Sequence, residues 1–140
     1  MSKSGPIVLL EDDHDDRIFM ETIFSELGIE NERVYLKNSD EALEFLHNTS
    51  KSLFLIFCDV NLRGKNGLEL KREIDNHKQL RLKSIPFVFY STSIRQEQVI
   101  EAYTELTVQG FFKKENDLSE AKTSIATIIA YWKLCRHPNM

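Results

Sequence analysis

Short runs in which every residue is apolar alternate with longer segments whose apolar residues recur at helical spacing. Ile7 to Leu10 is the first such run, and an all-apolar strand must be buried on both faces. Ile18, Phe19, Ile23, Phe24 and Leu27 then follow at helical intervals, with Gly28 where a helix C′ residue belongs. Val34 to Leu36 reads as a second strand. Asn38 or Ser39 caps a helix through Ala42, Leu43, Phe45 and Leu46, with Glu41 in its first turn. Leu53 to Cys58 is the third strand and runs directly into Asp59; a loop with Gly64, Asn66 and Gly67 leads to a third helix ending near Leu80. Pro86 opens a fourth strand, Phe87 to Tyr90, and Ser93 with Gln96 has capping-box spacing for a fourth helix. Phe111 and Phe112 mark a fifth strand. Asp117 with Glu120 caps a last helix toward Arg136, whose stripe is Ala121, Ile125, Ile128, Ile129 and Trp132. Five β-α repeats with strands buried on both faces imply an α/β protein, a parallel sheet between two layers of helices.

With 140 residues, the chain is expected to be a single domain over residues 1–140, its core spanning about 6–132 with a short extension of the last helix. A net charge of −4 supplies no basic field for nonspecific nucleic-acid binding. The longest apolar run, Leu53 to Cys58, falls far short of the roughly 18 residues of a membrane span. Met1 to Pro6 has no apolar signal segment, so a cytoplasmic location is expected. Cys58 and Cys135 are too few for a disulfide scaffold or a zinc site. His14, His47, His77 and His137 all read as solvated.

In an open α/β sheet the working site lies at the carboxyl ends of the strands. There stand Glu11, Asp12 and Asp13 after the first strand and Asp59 after the third. Ser91 and Thr92 follow the fourth, and Lys113 and Lys114 end the fifth. The acidic triplet alone is explained as well by complementing a helix N-terminus. Asp59, a lone acid closing an apolar strand, has no packing reason to be there. Crowded carboxylates raise one another's pKa unless a cation lies between them, and hard oxygens favour Mg²⁺.

Val8-Leu9-Leu10-Glu11-Asp12-Asp13, the stretch from Asp59 to Gly67, Pro86 through Ser91-Thr92-Ser93, and Lys114 together resemble a CheY-like response-regulator receiver domain of two-component signalling. The resemblance runs from about Ile7 to Trp132. It implies a flavodoxin-like doubly wound five-stranded sheet of strand order 2-1-3-4-5, a (βα)5 fold. By the same resemblance Asp59 is the phosphoacceptor. Asp12, Asp59 and the backbone carbonyl of Asn61 hold Mg²⁺, which Mn²⁺ can replace, and Glu11 acts through metal-bound water. Ser91 is the switch hydroxyl, Lys114 pairs with the phosphoryl group, Phe111 is the aromatic switch and Gly67 is the loop glycine. Lys113 adjoins Lys114; choosing Lys114 leaves Phe111 and Phe112 as the strand body.

Two positions depart from the family pattern. Arg63 and Glu115 stand where proline is usual, so the Lys114–Glu115 bond should be trans, a non-proline cis bond costing roughly 2.5–4 kcal/mol. Cyanobacterial phytochrome-partner regulators likewise lack the second proline and end in an aromatic-Trp pair similar to Tyr131-Trp132.

The resemblance implies a stand-alone switch, phosphorylated by a histidine kinase or histidine phosphotransfer protein, with no dedicated substrate turnover. Output is expected through another protein, or through a homodimer on the face of the fourth helix, fifth strand and fifth helix, with no nucleic acid or membrane involved. Asn61 and Ser93 flank the path of attacking water and are expected to tune phosphate lifetime. A phosphate-independent pseudo-receiver keeps the fold but has no need of this set of polar groups. A dehalogenase-like phosphohydrolase wants an acid two residues after its nucleophile, where Asn61 stands.

Overall fold

The computed structural model describes residues 2–92 and 94–139. Five parallel strands, β1 (Ile7–Leu10), β2 (Arg33–Leu36), β3 (Leu55–Cys58), β4 (Phe87–Ser91) and β5 (Gly110–Lys113), form one sheet of order β2-β1-β3-β4-β5. The helices are α1 (His14–Glu26), α2 (Ser39–Asn48), α3 (Gly67–Asn76), α4 (Lys78–Leu82), α5 (Gln96–Glu105) and α6 (Leu118–Leu134). The expected architecture and strand order are those observed.

Strand alternation sends neighbouring side chains to opposite layers, and both layers are apolar. Val8, Leu10, Ile56, Cys58, Phe87 and Phe89 pack toward Ala42 and Leu46 of α2, Leu70 and Ile74 of α3, and Ala102 of α5. Ile7, Leu9, Leu55, Phe57, Val88 and Tyr90 pack toward Met20, Ile23 and Phe24 of α1 and the stripe Ala121, Ile125, Ile128, Ile129 of α6. Full burial of a Phe or Leu is worth about 1.5–3 kcal/mol, so these two layers set the sheet's register.

Caps fix most helix starts, at Asn38 and Asp117 as the sequence places them and at Asp13 and Asn66 besides. Asp13, Asn38, Asn66 and Asp117 each accept a backbone N–H from the first turn of the helix that follows. Gly28 has φ of +69°, the left-handed geometry that ends α1. β3 begins at Leu55, two residues later than expected, and three helix boundaries also differ. The third helix breaks at His77, whose extended backbone ends α3 and begins α4, its Nδ1 accepting the Leu80 N–H. α5 begins at Gln96 with Arg95 at the N-cap, where the Arg95 N–H donates to Gln98; Ser93, the expected cap, lies outside the described residues.

The last helix stops at Leu134, short of Arg136, because the chain turns to bury His137. That ring is 2% exposed and lies beside Phe54 and Trp132, correcting its reading as a solvated residue. Its Nδ1 accepts the Asn139 N–H, so Nε2 carries the proton and donates to the Phe54 carbonyl at 2.8 Å. His14, His47 and His77 are exposed as expected. Among the described residues no helix is long and apolar enough to cross a membrane.

Candidate phosphoacceptor site

The sheet's hydrogen-bond ladder continues one residue past several strands and thereby aims the polar groups. The Glu11 N–H donates to the Leu36 carbonyl, the Asp59 N–H to Leu10, and the Lys114 N–H to Ser91. Glu11, Asp59, Ser91 and Lys114 are all buried at one rim. Lys113 points to solvent, so Lys114 is the lysine turned inward. The Lys114–Glu115 peptide bond is trans.

Each oxygen of Asp59 has its own environment. Oδ1 accepts the Asn61 N–H at 2.9 Å and the Ser91 hydroxyl at 2.8 Å; Oδ2 lies 3.5 Å from the Lys114 ammonium. The Asn61 side-chain amide donates to Ser91 Oγ at 3.3 Å, giving a relay Asn61→Ser91→Asp59. Lys114 Nζ also reaches Glu11 Oε2 at 2.5 Å and Asp16 Oδ2 at 3.4 Å. Glu11 Oε1 accepts the Asp13 N–H. Asp12 sits at the rim, its Oδ2 accepting the Arg63 N–H at 3.0 Å. A Cβ on Gly67 would collide with the Asp59 carbonyl and lie 3.0 Å from Cys58 Sγ, so only glycine lets α3 start this close to Asp59.

Burial pushes Glu11 up, to about 7, against the lowering effect of Lys114 and with Asp59 adding to the rise. Burial also works to raise Asp59. Neighbouring Glu11, the Lys114 charge, the Asn61 N–H and the Ser91 hydroxyl outweigh that and hold it below the usual carboxylate range. Lys114 is raised despite burial, because Glu11, Asp59 and Asp16 favour its charged form. Asp59 is therefore an anion, buried beside the Lys114 cation.

Phe111 lies outside this polar group, half-buried on the α5 side with its ring 5.2 Å from that of Phe89. Two participants escape the motif reading. Asp16, one turn into α1 beyond its cap Asp13, was detectable from helical spacing. The Arg63 main chain carries no side-chain signal at all. Ser93 lies outside the described residues.

Fold and site together define a class: a small parallel α/β domain with Glu11, Asp59, Ser91 and Lys114 buried together at the carboxyl edge of its sheet. The response regulator receiver domain family matches residues 7–126, and the chain belongs to it, a component of two-component signalling. Response regulator Rcp1 of Synechocystis sp. is 30% identical over 131 residues, covering 90% of this chain and 87% of Rcp1. The solved structure of the phosphorylated cyanobacterial phytochrome response regulator RcpA superposes with a TM-score of 0.83 at 28% identity, over 95% of this chain and 97% of RcpA. The Mn²⁺-bound form of Rcp1 gives 0.80 at 27% identity, over 95% and 98%.

Proposed function

We propose that Asp59 accepts a phosphoryl group from a histidine kinase or a histidine phosphotransfer protein, and that the modified chain acts as a conformational switch. The observation that carries this is Asp59 itself: a buried, ionised carboxylate at the end of the central strand, with Ser91 and Lys114 converging on it. In the transfer an Asp59 oxygen bonds to phosphorus as the phosphorus–nitrogen bond of the donor imidazole breaks. That electron pair stays on the departing nitrogen. Charge then spreads over the phosphoryl oxygens, where stabilisation is mostly electrostatic. Lys114 supplies the fixed positive charge, and Ser91 donates to an oxygen once its bond to Asp59 is released.

The residues fit a hard divalent cation. Glu11, Asp12 and Asp59 set three carboxylates against one Lys114 ammonium, and every candidate donor is oxygen. Among the described residues no three acidic, histidine or cysteine side chains group into a complete cage, so backbone and solvent oxygens must complete the set. Asp12, Asp59 and the Asn61 carbonyl would hold Mg²⁺ or Mn²⁺, with Glu11 acting through water, and the ion would neutralise developing phosphoryl charge. Rcp1 with Mn²⁺ supports this reading.

The chain carries out its own phosphorylation and dephosphorylation in the cytoplasm, without turning over a dedicated substrate. The whole of residues 1–140 forms the one receiver unit. Output passes through another protein, or a homodimer, on the face formed by α5, β5 and α6, the fourth to fifth βα units of the expected count. Exposed Ile100 and Tyr103 on α5 and Tyr131 on α6 support that face.

Intact mass after incubation with a small acyl phosphate and Mg²⁺ tests the proposal. One added phosphoryl group is expected on the parent and none on Asp59→Asn, with far-UV circular dichroism unchanged. No addition on the parent points to a phosphate-independent module, and unabated labelling of Asp59→Asn moves the acceptor elsewhere.

A further inference from the structure

At the pole opposite Asp59 the structure holds a cleft of about 290 Å³, and nothing in the receiver chemistry uses it. It opens where β4 begins, roughly 13 Å along that strand from Ser91. Leu46, Ile74, Leu80, Ile85, Phe87 and Trp132 form apolar walls. One wall depends on the tail. Trp132 and Pro138 lie beyond the family-matched residues 7–126, and His137, bonded to the Phe54 carbonyl, pins the tail in place.

The charges around the cleft are unbalanced. Among its described lining residues Asp75 is the one acid, against Lys71, Arg81 and Lys83, in a protein whose net charge is −4. Asp75 is fully engaged: it accepts from Lys71 Nζ at 2.8 Å and from both the N–H and the hydroxyl of Thr107. Lys71 is 4% exposed and also lies 5.0 Å from the Phe87 ring centre. Lys83 donates to the Leu46 and Thr49 carbonyls at the end of α2, keeping its charge at the rim. Arg81 makes no ion pair or hydrogen bond through its guanidinium among the described residues. Burial pulls Lys71 below its ordinary value, opposed by Asp75, and the Arg81 charge pulls it further down, which places Arg81 within electrostatic reach. An anion there would relieve the Lys71–Arg81 repulsion and give Arg81 a partner.

We propose that this cleft binds a small organic anion with an apolar body, its acid group held by Arg81 at the rim and its hydrocarbon or aromatic part against Phe87 and Trp132. The volume has room for about ten water-sized groups, which suits a short-chain or aromatic carboxylate and excludes a nucleotide. Charge complementarity selects an anion over a neutral apolar molecule.

The chain's single tryptophan is in the cleft wall, so Trp132 emission reports occupancy directly. Octanoate, and separately 8-anilinonaphthalene-1-sulfonate, are titrated into the full chain. Saturable change in Trp132 emission is expected for both, with octanoate at least tenfold tighter than the neutral 1-octanol. Arg81→Glu should weaken octanoate at least tenfold, while Lys37→Glu, the same charge change at the other pole, leaves it within twofold. If circular dichroism shows Arg81→Glu misfolded, Arg81→Gln carries the test with at least a threefold loss expected. The proposal is overturned if no saturable change occurs, if 1-octanol binds as well as octanoate, or if the Arg81 and Lys37 variants behave alike.

Discussion

Arg63 acts in the site through an atom its side chain does not contain. Its N–H donates to Asp12 Oδ2, while the guanidinium is largely in solvent, 3.9 Å away at its nearest. Proline, the usual residue of the family at this place, has no N–H to give. Arg63→Ala should therefore leave the site unchanged. Arg63→Pro should lower the stability of the metal-free protein by about 1 kcal/mol, the net worth of one hydrogen bond. Urea unfolding of the two variants measures it; equal midpoints would show that the bond contributes nothing. The same logic of main-chain donors applies to Asp59, half of whose carboxylate is held by the Asn61 N–H.

Between elements, a dense polar tie runs from α1 to the edge strand β2. Arg33 grips Glu21 through two nitrogens, at 3.0 and 2.6 Å, and Tyr35 donates to the same carboxylate at 2.8 Å. The Arg33 bond leads the effects that lower Glu21 to about 2 from its ordinary 4.5, burial opposing them. A folded-state pKa below the unfolded one stabilises fully above pH 4.5, and that stability is lost as pH falls through about 2. Because Glu21 is 42% exposed, the contribution is discounted for solvent screening to about 1 kcal/mol. Glu21→Gln should lower stability by that amount near pH 6 and match the parent near pH 2, as denaturation at a series of pH values will show. The C-terminal tie is of another kind. His137→Ala removes a buried ring and leaves the Phe54 carbonyl without its donor, so a loss of about 2–3 kcal/mol is expected. Amide exchange of residues 135–139 should accelerate with it; unchanged protection would mean the tail is held by Pro138 and Asn139 instead.

At the scale of the whole molecule, the proposed function requires a route from Asp59 to the α5-β5-α6 face. In this structure the Ser91 hydroxyl donates to Asp59, and the Phe111 ring lies tilted against that of Phe89. A phosphoryl group adds close to two negative charges and three acceptor oxygens. Moving a population from about 1:99 to 99:1 needs roughly 5.5 kcal/mol of differential interaction, while one hydroxyl bond to a charged group is worth about 1.5–3 kcal/mol. On the proposed function Ser91 alone would fall short of that amount, and Lys114, now paired with Glu11, would have to contribute the rest through the phosphoryl oxygens. Ser91→Ala should still take phosphate on Asp59 yet shift the α5-β5-α6 face poorly. Fluorine NMR of labelled phenylalanines follows Phe111 directly, and an identical environment with and without a phosphate mimic would remove it from the switch.

What the sequence alone determined is whatever depends on local period and spacing: five apolar runs, the amphipathic segments between them, the caps at Asn38 and Asp117, and the polar residues that end each strand. Those signals sit within a few residues of the feature they specify, so strand order and the site's location followed from them together with the family resemblance. The tertiary structure decided which groups meet. Lys114 joins Glu11 across 103 residues of chain, Arg63 joins Asp12 across 51, and His137 joins Phe54 across 83. His137 looks like a solvated tail residue because Phe54, which it bonds and packs against, is far away in sequence, and Trp132 meets it only where the chain turns after α6. A backbone N–H, identical in nearly every residue, and a ring whose burial is set by distant elements leave no local pattern to read.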